Sequence, residues 1–144
     1  MASMDDYRQT HIISASPMDL VVMLYEECIA ALSRAEASFD LDESERCQGI
    51  SNHLLHAQDI ITELSVSLDF GAGGEIAANL NRLYDFMSNH LSAANLSKNA
   101  LPIREVRALM VDLLDAWRQV AAQAPAATFD ASTGGGTGAL LASG

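Results

Sequence analysis

Four stretches of this chain carry apolar residues at helical spacing, and only short breaks separate them. Over residues 17–39, Leu20, Val21, Leu24, Cys28, Ala31, Leu32 and Ala35 fall on one helical face. Over 43–68 the same holds for Ile50, Leu54, Ala57, Ile61, Leu64 and Leu68. Ile76, Leu80, Leu83, Met87, Leu91 and Ala94 follow over 75–96, then Val106, Leu109, Met110, Leu113, Trp117 and Val120 over 102–123. No strand-like alternation competes with this period. A helix with one apolar stripe must bury it, and short connections force neighbours to run antiparallel. The pattern therefore predicts an all-α chain, an antiparallel up-down four-helix bundle. Asp40-Leu41-Asp42-Glu43, the glycine run Gly71-Ala72-Gly73-Gly74 and Ser97-Lys98-Asn99 read as the three turns.

The first helix has a well-written start. Ser16 suits the N-cap, Pro17 lacks an N–H that would be orphaned there, and Asp19 places a negative charge in the first turn. The bundle then spans residues 16–123. Residues 1–15 are expected to pack back on it through Tyr7, Ile12 and Ile13. Residues 124–144, rich in Ala, Gly, Ser and Thr, read as a flexible tail.

Charge narrows the function. Nineteen Asp and Glu stand against eight Lys and Arg, for a net charge of -11. The excess sits in residues 1–72, which hold 13 acidic and 3 basic residues. Phosphate-backbone binding rests on Lys and Arg, so nucleic acid is excluded as the natural partner. No stretch approaches the ~20 apolar residues of a membrane span, and no signal-peptide pattern opens the chain, so a cytoplasmic protein without membrane insertion is expected. Cys28 and Cys47 form no C-x-x-C pair, and Cys28 falls on the core face as a structural thiol.

No reaction chemistry emerges. Di-metal bundles need Glu-x-x-His on two helices, and no Glu here has a His three residues later. His53, His56 and Asp59 share one edge of the second helix but lie off its apolar stripe, as a solvated edge would; His11 and His90 have no evident partners. The glycine run lacks both the preceding strand and the Lys-Ser/Thr of a phosphate loop. The expectation is a non-enzyme without cofactor or metal. What remains is apolar surface beyond the core's needs. Met18, Val22, Tyr25 and Ile29 form a second stripe on the first helix, a candidate groove for a partner's amphipathic helix. Phe86 on the third helix is a second candidate. The alternative is a self-associating structural or regulatory bundle whose second stripe is a dimer interface.

The wording of these segments adds a resemblance. Ser14-Ala15-Ser16-Pro17-Met18-Asp19-Leu20-Val21-Val22-Met23-Leu24-Tyr25, with Tyr7 upstream, resembles the opening of the bacterial flagellin-specific export chaperones. Gln58 through Leu64, Gly73 through Leu80, Leu83-Tyr84-Asp85-Phe86-Met87, Leu91 through Asn95 and Glu105 through Trp117 resemble later parts of that family in the same order. The resemblance covers about residues 7–120. It implies a cytosolic helical bundle that binds the disordered C-terminal segment of flagellin, blocks premature polymerisation and assists flagellar type III export. It also implies client contacts in apolar grooves, with Tyr7, Ile12 and Ile13 on a segment that covers part of that surface when empty. The flagellar export gate and an anti-sigma regulator stand as further partner classes. Two departures are visible: Glu27 stands where the family carries a small residue, and the tail after Ala124 has no counterpart.

Overall fold

The computed structural model describes residues 17–123, which form four long helices. They are α1 (Pro17–Ala37), α2 (Glu43–Val66), α3 (Phe70–Ser97) and α4 (Leu101–Gln123), with a 3-10 turn at Ser38–Asp40 after α1. Each helix packs on its chain neighbour, and α4 returns to α1, closing a four-helix ring in which α1 faces α3 across the core. Ser16, His11 and the segment carrying Tyr7, Ile12 and Ile13 lie outside the described residues, as does the tail after Gln123.

The core follows the stripes. Cys28, Leu32, Ile50, Leu54, Ile61, Met87, Leu91, Val106, Met110 and Trp117 are buried. Two polar side chains meet at its centre: the hydroxyls of Tyr25 and Tyr84 lie 2.5 Å apart across the α1–α3 diagonal. The Tyr25 ring tilts against Trp117 at 6.3 Å. A buried hydroxyl without a partner is costly, and here each satisfies the other. Burial pushes the Tyr25 hydroxyl up to about 12 and the Tyr84 hydroxyl higher still, so both stay protonated. Burial, helped by the nearby Glu27 charge, likewise pushes the Cys28 thiol up to about 12, and its Sγ donates to the Ala57 carbonyl at 3.8 Å. An inert structural thiol results.

The glycine run carries the expected break at Gly74, but part of it is helical. The connection is Ser67–Asp69, and α3 already begins at Phe70. The Asp69 carboxylate accepts from the Ala72 N–H at 3.0 Å, capping a first helical turn over the glycines. Gly74 then kinks the helix at φ 53°, ψ −122°, a backbone state open essentially to glycine. Beyond the kink the buried stripe of α3 is Ala77, Leu80, Tyr84, Met87, Leu91 and Ala94. The small Ala77 takes the core position expected of Ile76, and Ile76 turns outward, 42% exposed. At the other end of the bundle, Gly49 permits close approach, since a Cβ there would meet Ser38 Oγ at 3.0 Å and a Leu41 methyl at 3.1 Å. No helix among the described residues is long and apolar enough to cross a membrane.

Candidate functional site: the groove between α3 and α4

The four lateral seams differ in how they are closed. Along α1–α4, Arg118 pairs with Glu26 at 2.5 Å, while Arg104 and Arg107 both reach Glu36 at 2.7 Å. The Arg107–Glu36 contact is close but poorly aligned for a hydrogen bond, leaving the buried Glu36 Oε1 held by charge alone. Along α1–α2, Glu27 accepts from Arg34 and meets His56 Nε2, each at 3.0 Å. Burial alone would raise the Glu27 carboxyl, but these two partners outweigh it and hold the carboxyl below its usual range. The pairing also gives Glu27 a use at its unusual position: it spans a seam that a small residue would leave unbridged. Along α2–α3, Ser51 donates to Asn95, Gln58 donates to Ser88 and Ser92, and Ser65 donates to Asn81.

The α3–α4 seam has one polar tie among the described residues, His90 Nε2 to Glu105 Oε1 at 2.8 Å. That tie fixes the antiparallel register. With equal rise on both helices, Phe86 lies level with Leu109, Leu83 with Asp112 and Leu113, and Ile76 with Gln119 and Val120. Ile76, Leu83, Phe86 and His90 share the α4-facing edge of α3; Glu105, Leu109, Asp112, Ala116 and Val120 share the α3-facing edge of α4. Phe86 is 49% exposed and stacks on His90, with ring centroids 4.9 Å apart. Leu83, Leu109, Leu113 and Val120 are half-buried against the core. These side chains make a largely apolar strip along the α3–α4 edge, hereafter the trough, interrupted by Asp112.

The sequence-derived site residues separate accordingly. Phe86 stands in this trough. Val22 and Ile29 are half-buried on the α4 side of α1, beneath the Arg–Glu pairs. Met18 and Tyr25 are interior, 1% and 0% exposed. The expected second stripe on α1 is thus not a free surface at these two positions, because the stripe turns in toward α3 and α4 rather than out to solvent. Ile76, read from its spacing as core, joins the exposed set instead. Its signal in the sequence was the alternative phase through Ala77, hidden by the preference for the larger side chain. Near His53 and His56 no metal cluster forms; among the described residues no three His, Cys, Asp or Glu side chains are grouped to hold an ion. Burial and the Arg34 and His56 charges lower the His53 pKa.

Among the described residues, three seams carry several polar ties each, and the α3–α4 seam carries one beside a strip of apolar side chains. Comparison with known proteins gives the class: the family model of flagellar protein FliS matches residues 1–124. The chain belongs to this family, which is a family of chaperones and not of enzymes, acting in flagellar export. It is 36% identical to the flagellar secretion chaperone FliS of Salmonella typhimurium over 126 residues, 86% of this chain and 88% of that protein. It is 32% identical to the Bacillus subtilis chaperone over 113 residues (78% and 81% of the two chains) and 38% identical to that of Escherichia coli over 112 (77% and 80%).

Proposed function

We propose that this chaperone binds the C-terminal segment of flagellin in the cytoplasm, prevents its premature polymerisation and delivers it to the flagellar type III export apparatus. The observation that carries the reading is the α3–α4 trough, a largely apolar strip with half-exposed Phe86 and Ile76 along a seam where one hydrogen bond, His90 to Glu105, is described. An amphipathic client segment that cannot fold alone gains ~25 cal/mol for each Å² of apolar surface it buries there. That gain must offset an ordering cost of ~2–5 kcal/mol or more, so a moderate, releasable affinity follows. Phe86 and Ile76 act as the principal client contacts, with Val22 and Ile29 at the edge of the α1–α4 seam as lesser ones. Met18 and Tyr25 support those edges from inside. The segment of Tyr7, Ile12 and Ile13 covers part of the α1 side until client arrives. The acidic surplus suits contacts with basic surfaces, the export gate or an anti-sigma regulator among them.

The test is capture of flagellin with and without its C-terminal segment. Retention of the intact subunit and loss of the truncated one is expected. Equal capture of both, or none of either with the protein self-associating by light scattering, would overturn the reading in favour of a structural bundle.

A further inference from the structure

We propose that Asp112 is a specificity residue of the trough, selecting client helices that carry an arginine or lysine one turn from the apolar residue seated on Phe86. The inference rests on the chaperone reading above and adds a requirement to it. The register set by His90 and Glu105 runs here through unbroken helix, on the far side of the Gly74 kink. It puts Phe86 level with Leu109, and Asp112 level with Leu83, about 4.5 Å further along the axis. The two edges of α4 differ in charge. Its three arginines, Arg104, Arg107 and Arg118, all cross to Glu36 and Glu26 of α1. The edge toward α3 carries two charged residues, both acidic: Glu105, taken by His90, and Asp112.

Asp112 is exposed, and no basic side chain pairs with it among the described residues. Arg82 stands next to Leu83 on α3, but its guanidinium donates to Asn79. Asp112 is therefore an unmatched charge beside the half-buried Leu109 and Leu113. A helix that lays its apolar face on these leucines takes water away from the carboxylate. A desolvated carboxylate is costly unless a cation meets it. A client arginine or lysine three or four residues from the Phe86 contact lies on the same face of the client helix and supplies that cation. A client with a neutral residue there binds more weakly, so Asp112 disfavours purely apolar occupants while it favours the matched one.

The test is calorimetric titration of the flagellin C-terminal peptide and of variants in which each Lys or Arg is changed singly to Gln. Each peptide is titrated into the full chain and into its Asp112→Asn and Asp115→Asn variants, both at exposed positions of α4. Against the parent chain, one Gln peptide should bind about tenfold more weakly, ~1.4 kcal/mol. Against Asp112→Asn that loss should shrink to less than about threefold, while Asp115→Asn should leave it at about tenfold. Equal losses against all three chains would mean a diffuse response to net charge and would overturn the inference. Gln peptides that all bind as the parent peptide does would overturn it too. In both cases the parent peptide still binds, and the chaperone reading stands. A parent peptide that binds none of the chains would overturn that reading and the inference with it.

Discussion

The seams on the two sides of α4 differ in nearly every respect. Toward α1, Arg104, Arg107 and Arg118 cross to Glu36 and Glu26, closing the surface over Val22 and Ile29. Toward α3, one His90–Glu105 pair is found among the described residues, and apolar side chains make up most of the remaining edge, with Asp112 among them. One helix thus contributes a fastened face and an open face. The same kind of residue, a Leu or Ile at the margin of a stripe, serves stability on one side and binding on the other. Which role it takes depends on whether charged neighbours bridge above it.

The largest contrast lies between an interior aromatic and a trough aromatic. Tyr25→Ser removes a ring from the core and leaves the Tyr84 hydroxyl unpartnered, which is expected to cost ~3–5 kcal/mol in urea unfolding. Phe86→Ser should cost less than ~1 kcal/mol, since its ring is half in solvent. Equal losses would erase the distinction between core and trough. Next in size is the fastened seam: Arg107→Ala, which strips a partner from the largely buried Glu36, should cost ~1–3 kcal/mol. His90→Ala on the open seam should cost ~0–1 kcal/mol, as an exposed pair does. A reversed order would mean that the α3–α4 side is the fastened one.

A smaller effect comes from the central hydroxyls. Tyr25→Phe should cost ~1 kcal/mol. Because folding raises the pKa of Tyr25 above the ordinary 10.0, to about 12, its stabilising share is complete below pH 10. That share is lost as pH rises through the folded value, and Tyr84 acts in the same direction. Ultraviolet titration of the folded protein should therefore show no ionisation of these two tyrosines near pH 10. The smallest effect is that of Glu27. Its carboxyl pKa is lowered in the folded state, so its contribution holds above the ordinary 4.5 and fades as pH falls through the folded value. Glu27→Gln should therefore lose less stability than the parent chain as pH falls below 4.5, and an equal loss in both would assign the effect to another carboxylate.

The fold was legible because four stripes at one period leave a chain few ways to hide them, and helix type and order follow from that alone. The helix limits were legible where capping chemistry is local, as at Lys98, whose left-handed backbone ends α3. The α2–α3 connection was legible in part: Gly74 breaks the helix as its run suggests, whereas the Asp69 cap draws Gly71 and Gly73 into a helical turn that a glycine-rich stretch does not announce. The site was half legible. Phe86 stands out as a large aromatic off the core stripe, whereas the two phases through Ile76 and Ala77 differ by a rotation that only packing decides. Tyr25 read as surface because it falls on a second stripe beside the core one; its partner Tyr84 lies 59 residues away, beyond the reach of local pattern.

The central claim is that the unfastened α3–α4 seam, and not the fastened α1–α4 seam, receives the flagellin segment. Calorimetric titration of a flagellin C-terminal peptide into Ile76→Ser/Phe86→Ser and, separately, into Val22→Ser/Ile29→Ser tests it, with the melting temperature of each variant recorded alongside. The trough variant should bind at least tenfold more weakly, ~1.4 kcal/mol, with little change in melting temperature. The seam variant should lose less affinity and more stability. Undiminished binding by the trough variant, with the loss confined to the Val22 and Ile29 side, would contradict the account and move the client to the face that the arginines now close.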